Sequence, residues 1–136
     1  MKFMVLLMFH STFKAMRILI LDDDKEYIAL LKEIIEHDGF TVEITDSPIE
    51  ALNMQNRNPF DLIITDIIMP EMDGLEVIQY IKATHPKTRI IAISGGGYFN
   101  ANDLLVMAKE FGANMVIPKP INFSILKSQL HSLSAI

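Results

Sequence analysis

The chain of 136 residues predicts an α/β domain: a five-stranded parallel sheet in (βα)5 order, doubly wound, with helices on both faces. Two observations lead there. Five short apolar runs, Ile18–Leu21, Phe40–Ile44, Leu62–Thr65, Ile90–Ile93 and Met115–Ile117, are rich in Ile and Val and lack period-two alternation, as expected of parallel strands covered on both faces. Each is followed by a segment with apolar residues at helical spacing, so strand and helix alternate five times from Arg17 onward. Right-handed crossovers then make the sheet open.

Each helix carries its own signals. Asp24–Asp38 places Tyr27, Leu31 and Ile34, or Ile28, Leu31 and Ile35, on one face, with Gly39 where a helix end favours a residue free of Cβ. Ser47–Pro48–Ile49–Glu50 combines a capping box with proline at the first helical position. Asp73 is placed to cap a third helix carrying Leu75, Ile78 and Ile81, which His85–Pro86 ends. Asn100 or Asn102 can cap a fourth, with Leu104, Leu105, Ala108 and Phe111, ended by Gly112. Asn122 can cap a last one with Ile125, Leu126, Leu130 and Leu133.

Composition narrows the function classes. At 50% apolar and 21% charged residues the chain is globular, and its length is that of one domain. A net charge of −5 without any Lys/Arg run lacks the footprint that binding a polyanion requires, which argues against nucleic acid as a direct partner. With no cysteine there is no thiolate site, which fits a reducing cytoplasm, and any metal must be held by oxygen. Residues 1–15 stand apart, with no acidic residue and an apolar stretch Phe3–Phe9 behind Lys2. That stretch is too short to span a bilayer and has no small-x-small cleavage site. The expectation is an upstream start or cloning remnant ahead of a domain at 16–136, without membrane association.

In an open parallel sheet ligands bind beyond the carboxyl ends of the strands, near the switch in strand order. The polar residues there are Asp22, Asp23 and Asp24 after the first strand, Asp66 after the third, Ser94 after the fourth and Lys119 after the fifth. Singly, each has an ordinary explanation: an acid after a strand caps a helix, a serine caps a loop, a lysine is a solvated amine. Converging on one rim they mean more, because crowded carboxylates repel and are stabilised by cations. A carboxylate at Asp66, where a buried strand meets the loop Ile67–Gly74 and other acids stand nearby, can hold a divalent cation and accept a phosphoryl group.

Asp22–Asp23 after Ile18–Leu21, Asp66 within Thr65–Gly74, Ser94 after Ile90–Ile93, and Lys119–Pro120 after Gly112–Ala113–Asn114 together resemble the receiver domain of two-component response regulators, across residues 16–136. The likeness is to stand-alone, chemotaxis-regulator-like receivers, and implies a flavodoxin-like fold and a phospho-accepting switch. By that resemblance Asp66 takes a phosphoryl group from a sensor histidine kinase or histidine phosphotransfer protein. Mg2+ is held by Asp23 directly, Asp22 largely through water, Asp66 and the backbone carbonyl of Ile68. Lys119 pairs with the phosphoryl oxygens, Ser94 hydrogen-bonds another and pulls its loop inward, and the changed surface docks a downstream protein target. The resemblance also implies a cis Lys119–Pro120 bond, a monomer or weak dimer, and no catalysis beyond its own phosphorylation and dephosphorylation.

Departures from the family pattern carry expectations too. Val116 stands three residues before Lys119, where a rotating Tyr or Phe is common. Pro118 removes an N–H at a strand end, Gly95–Gly97 free the loop after Ser94, and Tyr98 or Phe99 is available as a substitute aromatic. Ile68 and Gly96, two residues after Asp66 and Ser94, offer no polar group to orient a hydrolytic water, which predicts slow self-dephosphorylation. Two other readings compete: a haloacid-dehalogenase-like phosphatase using Asp22 as nucleophile with Asp24, although Glu26 stands where its hydroxyl residue is expected, and a degenerate receiver that only scaffolds partners.

Overall fold

A computed structural model describes residues 16–95 and 100–134. The reading of residues 1–15 as an added segment, and of Tyr98 or Phe99 as a substitute aromatic, lies outside the described residues. The elements are β1 Arg17–Leu21, α1 Lys25–His37, β2 Thr41–Thr45, α2 Pro48–Arg57, β3 Leu62–Asp66, α3 Gly74–Thr84, β4 Arg89–Ser94, α4 Ala101–Phe111, β5 Met115–Pro118 and α5 Phe123–Ser134. All strand pairs are parallel, in the order β2-β1-β3-β4-β5. This is the expected doubly wound, flavodoxin-like arrangement. The chain winds one way from β1 to β2 and the other way from β3, so the switch in order lies between β1 and β3, at Asp22 and Asp66.

The absence of alternation in the strands has a direct cause. Ile18, Ile20, Ile64, Ile91 and Ile93 pack with Ile28, Leu31 and Ile35 of α1 and Leu126, Leu130 and Leu133 of α5. Their strand neighbours Leu19, Leu21, Ile63, Ile90 and Ala92 pack with Ala51 of α2, Val77, Ile78 and Ile81 of α3, and Leu104, Leu105 and Ala108 of α4. Both faces of the central strands are therefore sealed. β2 departs from this: it is an edge strand whose Thr41 and Glu43 are exposed while Val42 is buried, and there the alternation returns.

The helix starts follow their signals. Asp24, Ser47, Asp73 and Asn100 each accept a backbone N–H in the first turn of their helix, and Asn122 accepts that of Ile125. Gly39 and Gly112 take φ of +94° and +120° past the ends of α1 and α4. The capping box is only half made, because Glu50 pairs with Arg57 and the Ser47 N–H turns instead to the Thr45 hydroxyl. Pro118 sits at the end of β5, the other edge, where a missing donor is tolerated.

At the end of the sheet away from Asp66, Gln55 closes a buried network. Its amide donates to Thr88 Oγ1 (2.9 Å) and accepts from Phe60 N–H (2.8 Å), while Thr88 donates to the Phe60 carbonyl (2.7 Å). Gln55 is fully buried, so Gln55→Ala leaves a donor and an acceptor dry. The expected loss is about 2–4 kcal/mol, read as a lower urea midpoint at unchanged slope.

Candidate functional site

Three strand ends bring the polar residues together. Leu21 pairs with Thr65, and Asp66 with Ile93, so the residues that follow β1 and β4 flank the end of β3. Asp22 is fully buried, Asp66 is 6% exposed and Ser94 is fully buried. Asp23 is exposed, yet carboxylate oxygens of Asp22, Asp23 and Asp66 all lie within 4.8 Å of one another. Lys119, after β5, reaches across with Nζ 2.8 Å from Asp22 Oδ2 and 3.4 Å from Asp66 Oδ2. The Lys119 N–H donates to the Ser94 carbonyl at 3.0 Å, which ties this residue to the end of β4; the Lys119–Pro120 bond is cis. The other Asp66 oxygen, Oδ1, accepts the Ile67 N–H at 2.8 Å.

Three carboxylates against one ammonium leave two negative charges uncompensated. Burial first, and then the Asp22 charge, push the Asp66 carboxyl up to about 6. Asp23 is raised as well, by burial and by its hydrogen bond and proximity to Asp22. For Lys119, burial opposes the charge, but the hydrogen bond to Asp22 and the nearby Asp66 outweigh it and raise the ammonium. An all-oxygen donor set with two charges to spare suits a hard divalent cation. The Asp24 carboxylate is not in the acid cluster: it is exposed, with Oδ1 holding Tyr27 N–H at 3.1 Å, while its backbone N–H donates to Asp22 Oδ1 at 3.1 Å. The phosphatase reading, which pairs Asp22 with Asp24, therefore loses its second acid to a helix cap.

Residues 18–131 match the family described as the response regulator receiver domain. The chain belongs to that family. It is a phospho-accepting module of two-component signalling, related to response regulators. It is similar to the transcriptional regulatory protein CpxR of Escherichia coli K12, 30% identical over 86% of this chain and 48% of CpxR. Against response regulator MprA of Mycobacterium leprae it is 30% identical over 87% of this chain and 50% of that one. This receiver thus spans about half the length of the curated relatives it matches. A solved response regulator receiver domain protein from Clostridium thermocellum superposes with a TM-score of 0.80 at 27% identity, covering 88% of this chain and 94% of the other.

The remaining sequence-derived site residues fall as follows. Ile68 lies in the β3–α3 loop with its side chain 39% exposed. Val116 is half-buried against the α2–α4 side of the core. Gly95 borders the Lys119 stem, whereas Gly96 and Gly97 lie outside the described residues. Two residues of consequence had no site role in the sequence reading. Tyr27, assigned only to an apolar helix stripe, holds its ring 5.0 Å from Lys119 Nζ. Gly74, which opens α3, donates its N–H to the Ile67 carbonyl at 2.6 Å, and a Cβ there would overlap the Asp66 carbonyl oxygen and come within 2.7 Å of Ile67 Cα. The glycine directly after the Asp73 cap was the available signal.

Gly74→Ala should therefore shift the Asp66 backbone and lower stability by about 2–4 kcal/mol, visible as a reduced urea midpoint. The raised Asp66 carboxyl has a defined sign. The folded, metal-free protein favours protonated Asp66, so this stabilisation is fully present below the ordinary carboxylate range and is lost as pH rises toward about 6. Asp66→Asn removes that loss: in EDTA at about pH 7.5 it should be more stable than the parent by about 1–3 kcal/mol, and the difference should vanish near about pH 4 in urea titrations.

Proposed function

We propose that Asp66 accepts a phosphoryl group from the phosphohistidine of a sensor kinase or phosphotransfer protein in the cytoplasm, and that the modified site alters docking of a downstream protein. The observation that carries this reading is the buried Asp66 carboxylate at the β1/β3 switch point, flanked by Asp22 and Lys119. In the transfer an Asp66 oxygen forms a bond to phosphorus as the P–N bond breaks, and the bond's electron pair leaves on the imidazole. Asp22, Asp23, Asp66 and the Ile68 carbonyl would hold Mg2+, which would supply the positive charge that a charge-rich phosphoryl transition state needs.

The chain's own groups do the rest. The Ile67 N–H fixes one Asp66 oxygen and so orients the carboxylate. Lys119, already within 3.4 Å of Asp66, re-pairs from Asp22 to the new phosphoryl oxygens, where it neutralises charge. Ser94, buried beside the end of β3, donates to another phosphoryl oxygen and draws the β4–α4 loop toward Asp66. Val116 has no ring to swing, so the aromatic coupling common in the family is absent at this position.

Incubation with acetyl phosphate and Mg2+, followed by intact-protein mass measurement, tests the assignment. A phosphoryl mass gain is expected in the wild type and absent in Asp66→Ala; a gain that survives in that variant, or no gain at all, overturns it. With Ile68 and Gly96 unable to orient water, the gain should decay over minutes or longer after acetyl phosphate is removed.

A further inference from the structure

We propose that Tyr27 is a positioning residue for phosphoryl uptake, the face of its ring seating the Lys119 ammonium between Asp22 and Asp66. This rests on the reading that Asp66 accepts the phosphoryl group. Tyr27 stands in the first turn of α1, and its N–H is the one that the Asp24 cap binds, so the event that starts the helix also sets where the ring goes. The ring is half-buried against the α1/α5 side of the core. Lys119 Nζ lies 5.0 Å from its centroid, inside the roughly 6 Å reach of a cation–π contact. The same nitrogen is 2.8 Å from Asp22 and 3.4 Å from Asp66. Tyr27, Lys119, Gly95, Asp24 and Pro120 line one cavity of about 400 Å³, so ring and ammonium share a wall beside the acid pair.

The physical need is clear. A lysine ammonium is a point charge on a flexible four-carbon stem, and two carboxylates on one side leave it free to swing. A π face attracts it without using any of its N–H donors. When Asp66 gains a phosphoryl group the hydrogen bonds to the acids must be exchanged for new ones. Contact with the ring need not break while the ammonium slides. Tyr27 thus keeps the cation inside the site through the exchange, and it acts through Lys119 rather than on the reacting atoms.

Uptake rates from acetyl phosphate with Mg2+, read by intact mass, test this. Tyr27→Leu should slow uptake by about 3- to 30-fold, while Tyr27→Phe stays within about twofold of wild type. In a Lys119→Met background, Tyr27→Leu should slow the residual rate no further. Independently, the Lys119 ε-methylene proton resonances should be shifted upfield by the ring in wild type and Tyr27→Phe, and should return to ordinary values in Tyr27→Leu. Tyr27→Met replaces the leucine variant if the latter does not fold. Wild-type rates in Tyr27→Leu, an equal slowing with and without Lys119, or unshifted lysine protons in the wild type each overturn the proposal. If the wild type itself takes up nothing, the Asp66 reading fails and this inference falls with it. Normal wild-type uptake matched by Tyr27→Leu removes this inference alone.

Discussion

Two buried carboxylates, Asp22 and Asp66, share one ammonium, and a third acid stands within ligand distance of both. Unit charges about 4 Å apart repel by about 4 kcal/mol at the effective dielectric of a protein near its surface, so this arrangement opposes folding unless something holds it. What holds it is the sheet. β1 and β3 are hydrogen-bonded neighbours sealed on both faces by Ile and Leu, and their ends cannot move apart without opening that core. The hydrophobic energy of the central strands thus maintains an electrostatic imbalance at one rim. That imbalance suits the rim to a divalent cation.

The contact at Gly74 extends the same logic to the next helix. Because the first residue of α3 lies against the Asp66 carbonyl, the Asp66 backbone and the helix entry are packed as one piece. Asp73 caps that helix by accepting the Glu76 N–H, so the loop from Ile67 is pinned at both ends. Asp66 is therefore held on its α3 side by packed backbone.

Much of this was legible in the residues, and the parts that were not have physical reasons. Periodicity located all five strands because burial on both faces leaves a continuous apolar run, and it misdescribed β2 because an edge strand keeps a wet face. Caps were readable since each is a local bond between a side chain and a backbone N–H nearby. The reciprocal half of the Ser47–Glu50 box failed because Glu50 found Arg57, a competitor that a four-residue pattern does not contain. The polar residues that gather at this rim could be picked out by their places at strand ends. Their distances could not, since Lys119 meets Asp22 only once the strand order is known. Tyr27 escaped because an aromatic at helical spacing looks like core, and its second role depends on a lysine far along the chain.

That last separation has a further consequence. The acid pair and its ammonium are 97 and 53 residues apart in the chain, and the ammonium follows β5, the last strand among the described residues. On the ribosome, the acids of β1 and β3 emerge long before their counter-charge. A growing chain therefore carries the acids of β1 and β3 without their counter-charge until the segment that follows β5 has been made.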